Sequence, residues 1–113
     1  MRIDSVGNVT IKAPTASGGG VLNLENTTTA VNGTDWGSLN FISNDTSSSA
    51  NGIRGSIVGT STAYSGECDL VFSTAPSNGT ATERMRITSA GDVTMTGDLN
   101  ISAGKKLQYS ANS

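Results

Sequence analysis

The sequence has no histidine, a single cysteine (Cys68) and only two prolines among its 113 residues. Without histidine, the Ser/His/Asp and Cys/His catalytic arrangements are excluded. One cysteine cannot form a disulfide within the chain, and no cluster of Cys and His residues exists to bind zinc. We expect Cys68 to be a small, half-buried residue rather than a reactive thiol.

Charge and long apolar runs are also scarce. Charged residues make up 14% of the chain and the net charge is −2. Apart from Arg84 with Arg86 and Lys105 with Lys106, the basic residues are scattered and form no basic stripe, so we expect no nucleic-acid partner. No stretch approaches the roughly 20 apolar residues of a membrane span, so we expect no membrane partner.

Large apolar residues are few. Leu, Ile, Val and Phe make up about a fifth of the chain, close to the boundary of about 20% below which chains are disordered. Disorder also requires high net charge, which is missing here. Ser, Thr, Gly and Asn fill the remainder, a composition common in extracellular and viral fibrous β proteins. One chain would bury little apolar surface, and association of several chains would repair this deficit.

A clear pattern begins at Met85. Met85 and Ile87 alternate with polar residues, a turn-forming Ser-Ala-Gly-Asp follows, and Val93 and Met95 resume the alternation. Apolar residues at every second position on both sides of a glycine-containing break are typical of a β-hairpin. We therefore expect Met85, Ile87, Val93 and Met95 to share one apolar face.

The same pattern opens the chain. Residues 1–10 match residues 85–94 at seven positions without a gap, at an offset of 84 residues. A long internal repeat favours an elongated architecture. The alternative is two similar hairpins within one globular domain.

The rest of the chain predicts further short strands separated by turn residues, and nothing indicates an amphipathic helix. In residues 67–74, Leu70 and Phe72 lie on the same face as Cys68, and Phe41 lies on the apolar side of an earlier strand. The predicted strands of the body are 21–25, 36–43, 53–58, 67–74 and 83–88. We predict an all-β, antiparallel meander of short strands, elongated and trimeric, with repeated hairpins. Its predicted parts are a first hairpin (1–13), a linker (14–20), a meander body (21–84), a second hairpin (85–97), and a C-terminal strand with a polar tail (98–113).

Several of these stretches resemble the repeated shaft modules of bacteriophage tail fibres and related virion structural proteins, especially those of marine and cyanobacterial phages. The residues concerned are Leu-Val-Phe-Ser-Thr (70–74), Ala-Thr-Glu-Arg-Met-Arg-Ile (81–87) and Ser-Ala-Gly-Asp-Val (89–93). The resemblance covers most of the chain, and residues 83–93 are its most specific part. The first copy of the repeat departs from the pattern, because it lacks the Glu-Arg that precedes Met85.

The resemblance implies a homotrimeric virion appendage, extracellular, with other virion or fibre proteins and host-surface glycans as partners. It implies an assembly core that includes Met85, Ile87, Val93, Met95, Leu70, Phe72 and Phe41. The domain that often follows such modules, a chaperone or a receptor-binding domain, is not evident in this sequence.

Charged residues give few candidate sites. Glu83, Arg84 and Arg86 are candidates for charge pairs within or between chains, with Asp69 as a further partner; exposed pairs contribute about 0–1 kcal/mol each. Paired carboxylates for glycoside cleavage would have to come from Glu67 and Asp69 or from Asp92 and Asp98. Asn44 and Asp45 could supply oxygen ligands to calcium. We interpret the carboxylates as solvated charges and expect no catalytic residue, metal or cofactor.

Three functions remain open. The first is a non-enzymatic shaft or spacer module of a phage tail fibre, used in host-surface attachment. The second is a subunit of an extracellular or virion-surface fibril that polymerises by strand exchange between its matching ends. The third is a small carbohydrate-binding β domain that stacks sugars on Trp36, Tyr64 or Tyr109.

Overall fold

The computed structural model of the protein describes residues 2–3, 7, 9–11, 21–27, 32–46 and 50–108. The described residues form an all-β protein of seven strands. The strands are β1 (Arg2–Ile3), β2 (Val9–Thr10), β3 (Asp35–Ser43), β4 (Gly52–Ser61), β5 (Cys68–Thr74), β6 (Thr82–Ile87) and β7 (Val93–Met95). Within the described ranges no helix is long and apolar enough to cross a membrane.

Strands β3 to β7 form one five-stranded antiparallel sheet in the order of the sequence. Each strand therefore pairs with the next one along the chain, which confirms the predicted antiparallel meander. Strands β1 and β2 form a separate two-stranded sheet, in which Arg2 pairs with Thr10 and Ile3 with Val9.

Period-two alternation located four of the five strands in the large sheet to within a few residues, and the predicted hairpin supplied the fifth. That hairpin closes around Gly91, whose φ of 92° favours glycine because a side chain is strained there. The amide of Gly91 donates to the Thr88 carbonyl, and the amide of Thr88 donates to the Asp92 carbonyl.

Two stretches expected as strands belong to no strand in the structure: residues 21–25, and the part of 98–113 that is described, up to 108. Around Leu24 the chain lies over the backbone of Gly37, so close that a Cβ added to Gly37 would be 2.7 Å from Leu24 Cβ. A side-chain hydrogen bond from Asn26 Nδ2 to the Asp35 carbonyl, at 2.9 Å, joins residues 21–27 to the start of β3. The alternation of Leu22 and Leu24 therefore does not mark a paired strand, because the chain around Leu24 packs over the sheet instead.

Three irregularities in pairing change which side chains share a face. At each of them one strand has one residue more than its partner: β3 between Asp35 and Gly37, β4 between Gly55 and Ile53, and β6 between Met85 and Glu83. The extra residues are Trp36, Arg54 and Arg84. A bulge of this kind shifts the alternation of side chains by one position. On β6 it brings Glu83 and Arg86 to the same side of the sheet.

No hydrophobic residue of the described chain is buried; the buried residues are Ser61 (1% exposed) and Asp69 (5% exposed). The chain is somewhat extended, with a radius of gyration of 18.2 Å, where a compact domain of this length has about 13 Å. Apart from the chain around Leu24, which lies over Gly37, the described residues thus leave both sides of the sheet largely uncovered.

Candidate assembly surface

One face of the five-stranded sheet is lined by apolar side chains, and we call it the apolar face. Its central row consists of residues that pair directly across all five strands: Leu39, Ile57, Phe72, Met85 and Met95. Cross-strand neighbours of this kind lie about 5 Å apart, so the row is an unbroken apolar band from one sheet edge to the other.

A second row runs beside the first on the same face. It consists of Gly37, Gly59, Leu70, Ile87 and Val93, again joined by direct pairing across the five strands. Neither row contains a charged residue. Large parts of these side chains are accessible: Leu39 is 47% exposed, Leu70 43%, Val93 59% and Met95 46%.

The structure places all seven residues expected at the assembly core on this face. Met85, Ile87, Val93 and Met95 pair within the β6–β7 hairpin, Leu70 and Phe72 lie on β5, and Phe41 follows Leu39 on β3 at 56% exposure. In the single chain they form a surface rather than an interior. Whether another molecule covers that surface stays a prediction.

The apolar face has a depression where β3 and β4 carry Gly37 and Gly59, which we call the glycine hollow. It has a volume of about 330 Å³, and its walls include Leu24, Trp36, Cys68 and Leu70. The Cys68 sulfur would lie 3.4 Å from a Cβ added to Gly59. Cys68 is free and half-buried.

The opposite face, which we call the polar face, is built mainly from Ser, Asn, Thr and charged residues, with two valines and, at one end, the exposed pair of Ile42 and Ile53. Its rows are Ser38, Val58, Val71, Arg86 and Thr94, and next to it Asn40, Ser56, Ser73 and Glu83. The contrast between the two faces follows from the period-two alternation of the strands.

Three ionised residues of the polar face form a charge cluster: Asp69, Glu83 and Arg86. Arg86 Nη1 lies 2.7 Å from Asp69 Oδ2, while Nε and Nη2 donate to the two oxygens of Glu83 at 2.8 and 2.6 Å. The second oxygen of Asp69 accepts the Ser89 amide at 2.8 Å. The guanidinium therefore links β6 to β5, and Asp69 fastens the start of the hairpin turn.

The charge cluster shifts the acid–base properties of its members. The hydrogen bond from Arg86 holds the pKa of Asp69 below its ordinary value, and the Ser89 amide acts in the same direction against the effect of burial. The same guanidinium lowers the pKa of Glu83. The two carboxylates in turn raise the pKa of Arg86. All three groups stay charged at neutral pH.

Arg84, the third residue expected in charge pairing, makes a different contact. Its Nε donates to the Thr74 hydroxyl at 3.3 Å. The bulge at Arg84 explains the difference from Arg86, because the two arginines do not follow a regular alternation. Pairing of Glu83, Arg84 or Arg86 between chains stays a prediction.

Arg54, which the sequence did not single out, holds the loop between β5 and β6. Its Nη1 donates to the Gly79 carbonyl at 2.9 Å and its Nη2 donates to the Pro76 carbonyl at 2.5 Å. Beside it lies a groove of about 670 Å³ with both polar and apolar walls, among them Asp35, Asn40, Ile53 and Val58.

The carboxylates considered for catalysis are not part of a metal-binding cluster among the described residues. Among the described residues there is no group of at least three His, Cys, Asp or Glu side chains that could hold a metal ion. Asp69 is engaged with Arg86, and Glu67 accepts the Ser65 hydroxyl at 2.7 Å, a bond that lowers the pKa of Glu67. Near the proposed calcium ligands, the Asp45 amide binds the Ser43 hydroxyl.

Trp36 and Tyr64, two of the aromatic residues considered for sugar stacking, have different surroundings. Trp36 lines the glycine hollow, and its ring lies 3.8 Å from a Cβ built on Gly66. Tyr64 is 77% exposed. Tyr109 lies outside the described residues.

Comparison with known proteins found no matching protein family, curated protein or solved structure.

Proposed function

We propose that the chain is a non-enzymatic structural module of a virion appendage, a shaft or spacer of a phage tail fibre, that acts as a homotrimer in host-surface attachment. The observation on which this rests is the apolar face: a five-stranded sheet with a continuous uncharged band on one side and no buried hydrophobic residue among those described.

Covering the apolar face would stabilise the protein substantially. Apolar surface contributes about 25 cal/mol per Å² when it is removed from water. Monomeric proteins rarely expose contiguous apolar patches beyond a few hundred Å², and larger patches mark interaction sites. Because the two rows are uncharged, identical copies can bury these rows without desolvating a charge.

The width of the sheet favours three copies around one axis. Strands lie about 4.8 Å apart, so five strands span about 19 Å between the outer two. If three such sheets form the sides of a triangular prism, each sheet lies about 5.5 Å from the central axis. Two sheets that pack face to face are about 10 Å apart, so each lies about 5 Å from the plane midway between them, which is close to the same distance. The interior of the prism would therefore be filled by one layer of side chains from each chain, with Leu24 in the place of the missing side chain at Gly37.

The edges of the sheet favour the same arrangement. β3 is a nine-residue edge strand without lysine or proline, and β7 is the other edge. Natural sheets protect long edges with such residues or cover them. In a ring of three copies, β7 of one chain comes next to β3 of its neighbour, so all edges are covered at the corners. A face-to-face dimer would leave them open.

The proposed role in a virion is tested by locating the protein on phage particles. Gold-labelled antibodies raised against the chain should decorate a tail appendage of the phage particles that contain it. A trimeric protein that is absent from purified particles would contradict the virion role while leaving the assembly intact.

A second candidate, the fibril that grows by strand exchange, is favoured by the pairing of the two hairpins. Arg2 pairs with Thr10 just as Arg86 pairs with Thr94, at the offset of 84 residues. Gly7 and Gly91 share a left-handed φ of 86° and 92°. Matching hairpins could replace one another between neighbouring chains. Polymers without a limiting mass in solution would support this candidate over the trimer.

A further inference from the structure

The second row of the apolar face is uneven from one sheet edge to the other. On β3 and β4 it consists of Gly37 and Gly59, and on β6 and β7 it consists of Ile87 and Val93. One end of the row is therefore the glycine hollow, while the other end protrudes, with Val93 59% exposed.

The threefold axis of the proposed trimer brings these two ends together. If the strands run along that axis, the rotation carries each residue to the equivalent position in the next chain at the same level along the axis. The β7 end of a row in one chain then meets the β3 end of the same row in the next chain. A contact between two different patches is heterologous, and it closes into a ring when the rotation allows.

The two ends also suit each other chemically. The hollow of about 330 Å³ has aliphatic, aromatic and sulfur-containing walls, including Leu70, Trp36 and Cys68. Valine and isoleucine side chains bring no polar group into it, so nothing would be left unpaired on burial. The missing side chain at Gly59 provides the space, and Leu24 of the same chain, which lies over Gly37, forms the wall of the hollow on the β3 side.

Building on the trimer proposed above, we propose that Val93, supported by Ile87, inserts into the glycine hollow of the adjacent copy. This contact makes the subunit interface directional. The β6–β7 hairpin is the protruding side, and the hollow above Gly59 of the next chain, bounded by Leu24, is the receiving side. The occupant of the hollow is therefore a second copy of this chain.

Cys68 gives a direct probe, because its sulfur lies beside Gly59 in the hollow. Within one chain, Cys68 and Val93 are two strands apart, about 10 Å across the sheet, and two residues apart along it. A disulfide needs Cα atoms within about 7 Å, so a thiol at position 93 cannot reach Cys68 of its own chain. Any disulfide between the two positions must therefore join different chains, and a bismaleimide link adds to a ladder on a gel only where it joins different chains.

The experiment uses the variant V93C under mild oxidation and, separately, with a short bismaleimide. Non-reducing gels should show a covalent ladder that ends at three chains. The double variant C68S/V93C removes the receiving thiol. The variant T94C places the new thiol on the neighbouring residue, on the polar face. Neither control should be linked.

Light scattering on the unmodified chain distinguishes a failure of the proposed insertion from a failure of the proposed trimer. A trimer in which V93C gives no link with either reagent overturns the insertion and leaves the trimer standing. A monomer overturns both. A ladder that ends at two chains indicates a reciprocal pair, and one that continues beyond three indicates open polymers; each overturns the directional ring.

Filling the hollow gives an independent measurement. In G59V the added Cβ makes an ordinary contact with the Cys68 sulfur, so the chain can still fold. We expect the mass of G59V at micromolar concentration to fall from three chains to one. The control T60V, on the polar face, should remain trimeric. A G59V variant that is still a full trimer would overturn the insertion.

Discussion

Arg86 and Asp69 are joined by an ion pair of 2.7 Å between Nη1 and Oδ2, which ties β6 to β5 on the polar face. Asp69 is one of the two buried residues among those described, and it also accepts the Ser89 amide. The pair thus connects the last long strands of the sheet to the turn of the β6–β7 hairpin. It stabilises the part of the sheet that presents the protruding side of the apolar face.

Removing the charge of Asp69 should destabilise the protein more than removing the charge of Glu83. D69N weakens the bond to the guanidinium at a site shielded from water. E83Q alters a 40% exposed carboxylate, and we expect it to cost no more than about 1 kcal/mol. Urea unfolding followed by circular dichroism measures both, with the exposed Asp98 replaced in D98N as the control. Equal midpoints for D69N and D98N would show that the pair is not important for stability.

Stability should depend on pH in the acidic range. Asp69 and Glu83 have folded-state pKa values below their ordinary values of 3.8 and 4.5. The unfolded chain therefore binds more protons there, and the stabilisation is complete above about pH 5 and is lost as the pH falls through the folded-state values. The variant R86M, measured from pH 2 to 7, should show a shallower decline. An identical decline in R86M would argue against this origin of the pH dependence.

Much of the sheet could be predicted from the sequence because period-two alternation depends only on one face being apolar. The hairpin of Met85, Ile87, Val93 and Met95 illustrates this: its spacing and its Gly91 turn are local features, and the structure has the expected pairing.

The rest depends on features that alternation does not encode. The bulges at Trp36 and Arg84 arise from pairing between strands, so the contact of Arg84 with Thr74 instead of the charge cluster could not be read from spacing. Ser61 is buried where its amide donates to the Thr34 carbonyl, a contact with another part of the chain that spacing does not indicate. Alternation in residues 21–25 indicated a strand, but the chain there lies over Gly37 instead.

Arg54 should be required for order in the loop between β5 and β6. R54K keeps the charge but loses the fork of donors that reaches both Pro76 and Gly79. We expect a loss of about 1–3 kcal/mol in the free energy of unfolding. Hydrogen exchange of a peptide covering residues 75–81 should speed up in R54K and stay unchanged in the control R84K. Unchanged exchange in R54K would show that the loop is ordered by other contacts.

Truncating Leu39 should have a large effect only if the apolar face is covered. Leu39 is 47% exposed in the single chain, and exposed substitutions usually change stability by no more than about 0.5 kcal/mol. If the face is buried between chains, L39A should cost about 2–5 kcal/mol per chain. L107A, which truncates a 74% exposed leucine outside the sheet, is the matched control. Urea unfolding at a fixed chain concentration gives both values, and equal small effects would oppose a covered face.

The most direct measurement is the mass of the unmodified chain at micromolar concentration, by light scattering coupled to size-exclusion chromatography. The apolar face, the width of the sheet and its open edges lead us to expect three times the chain mass of 11.5 kDa. A folded, monodisperse species of 11.5 kDa would contradict the proposal that identical copies cover the apolar face.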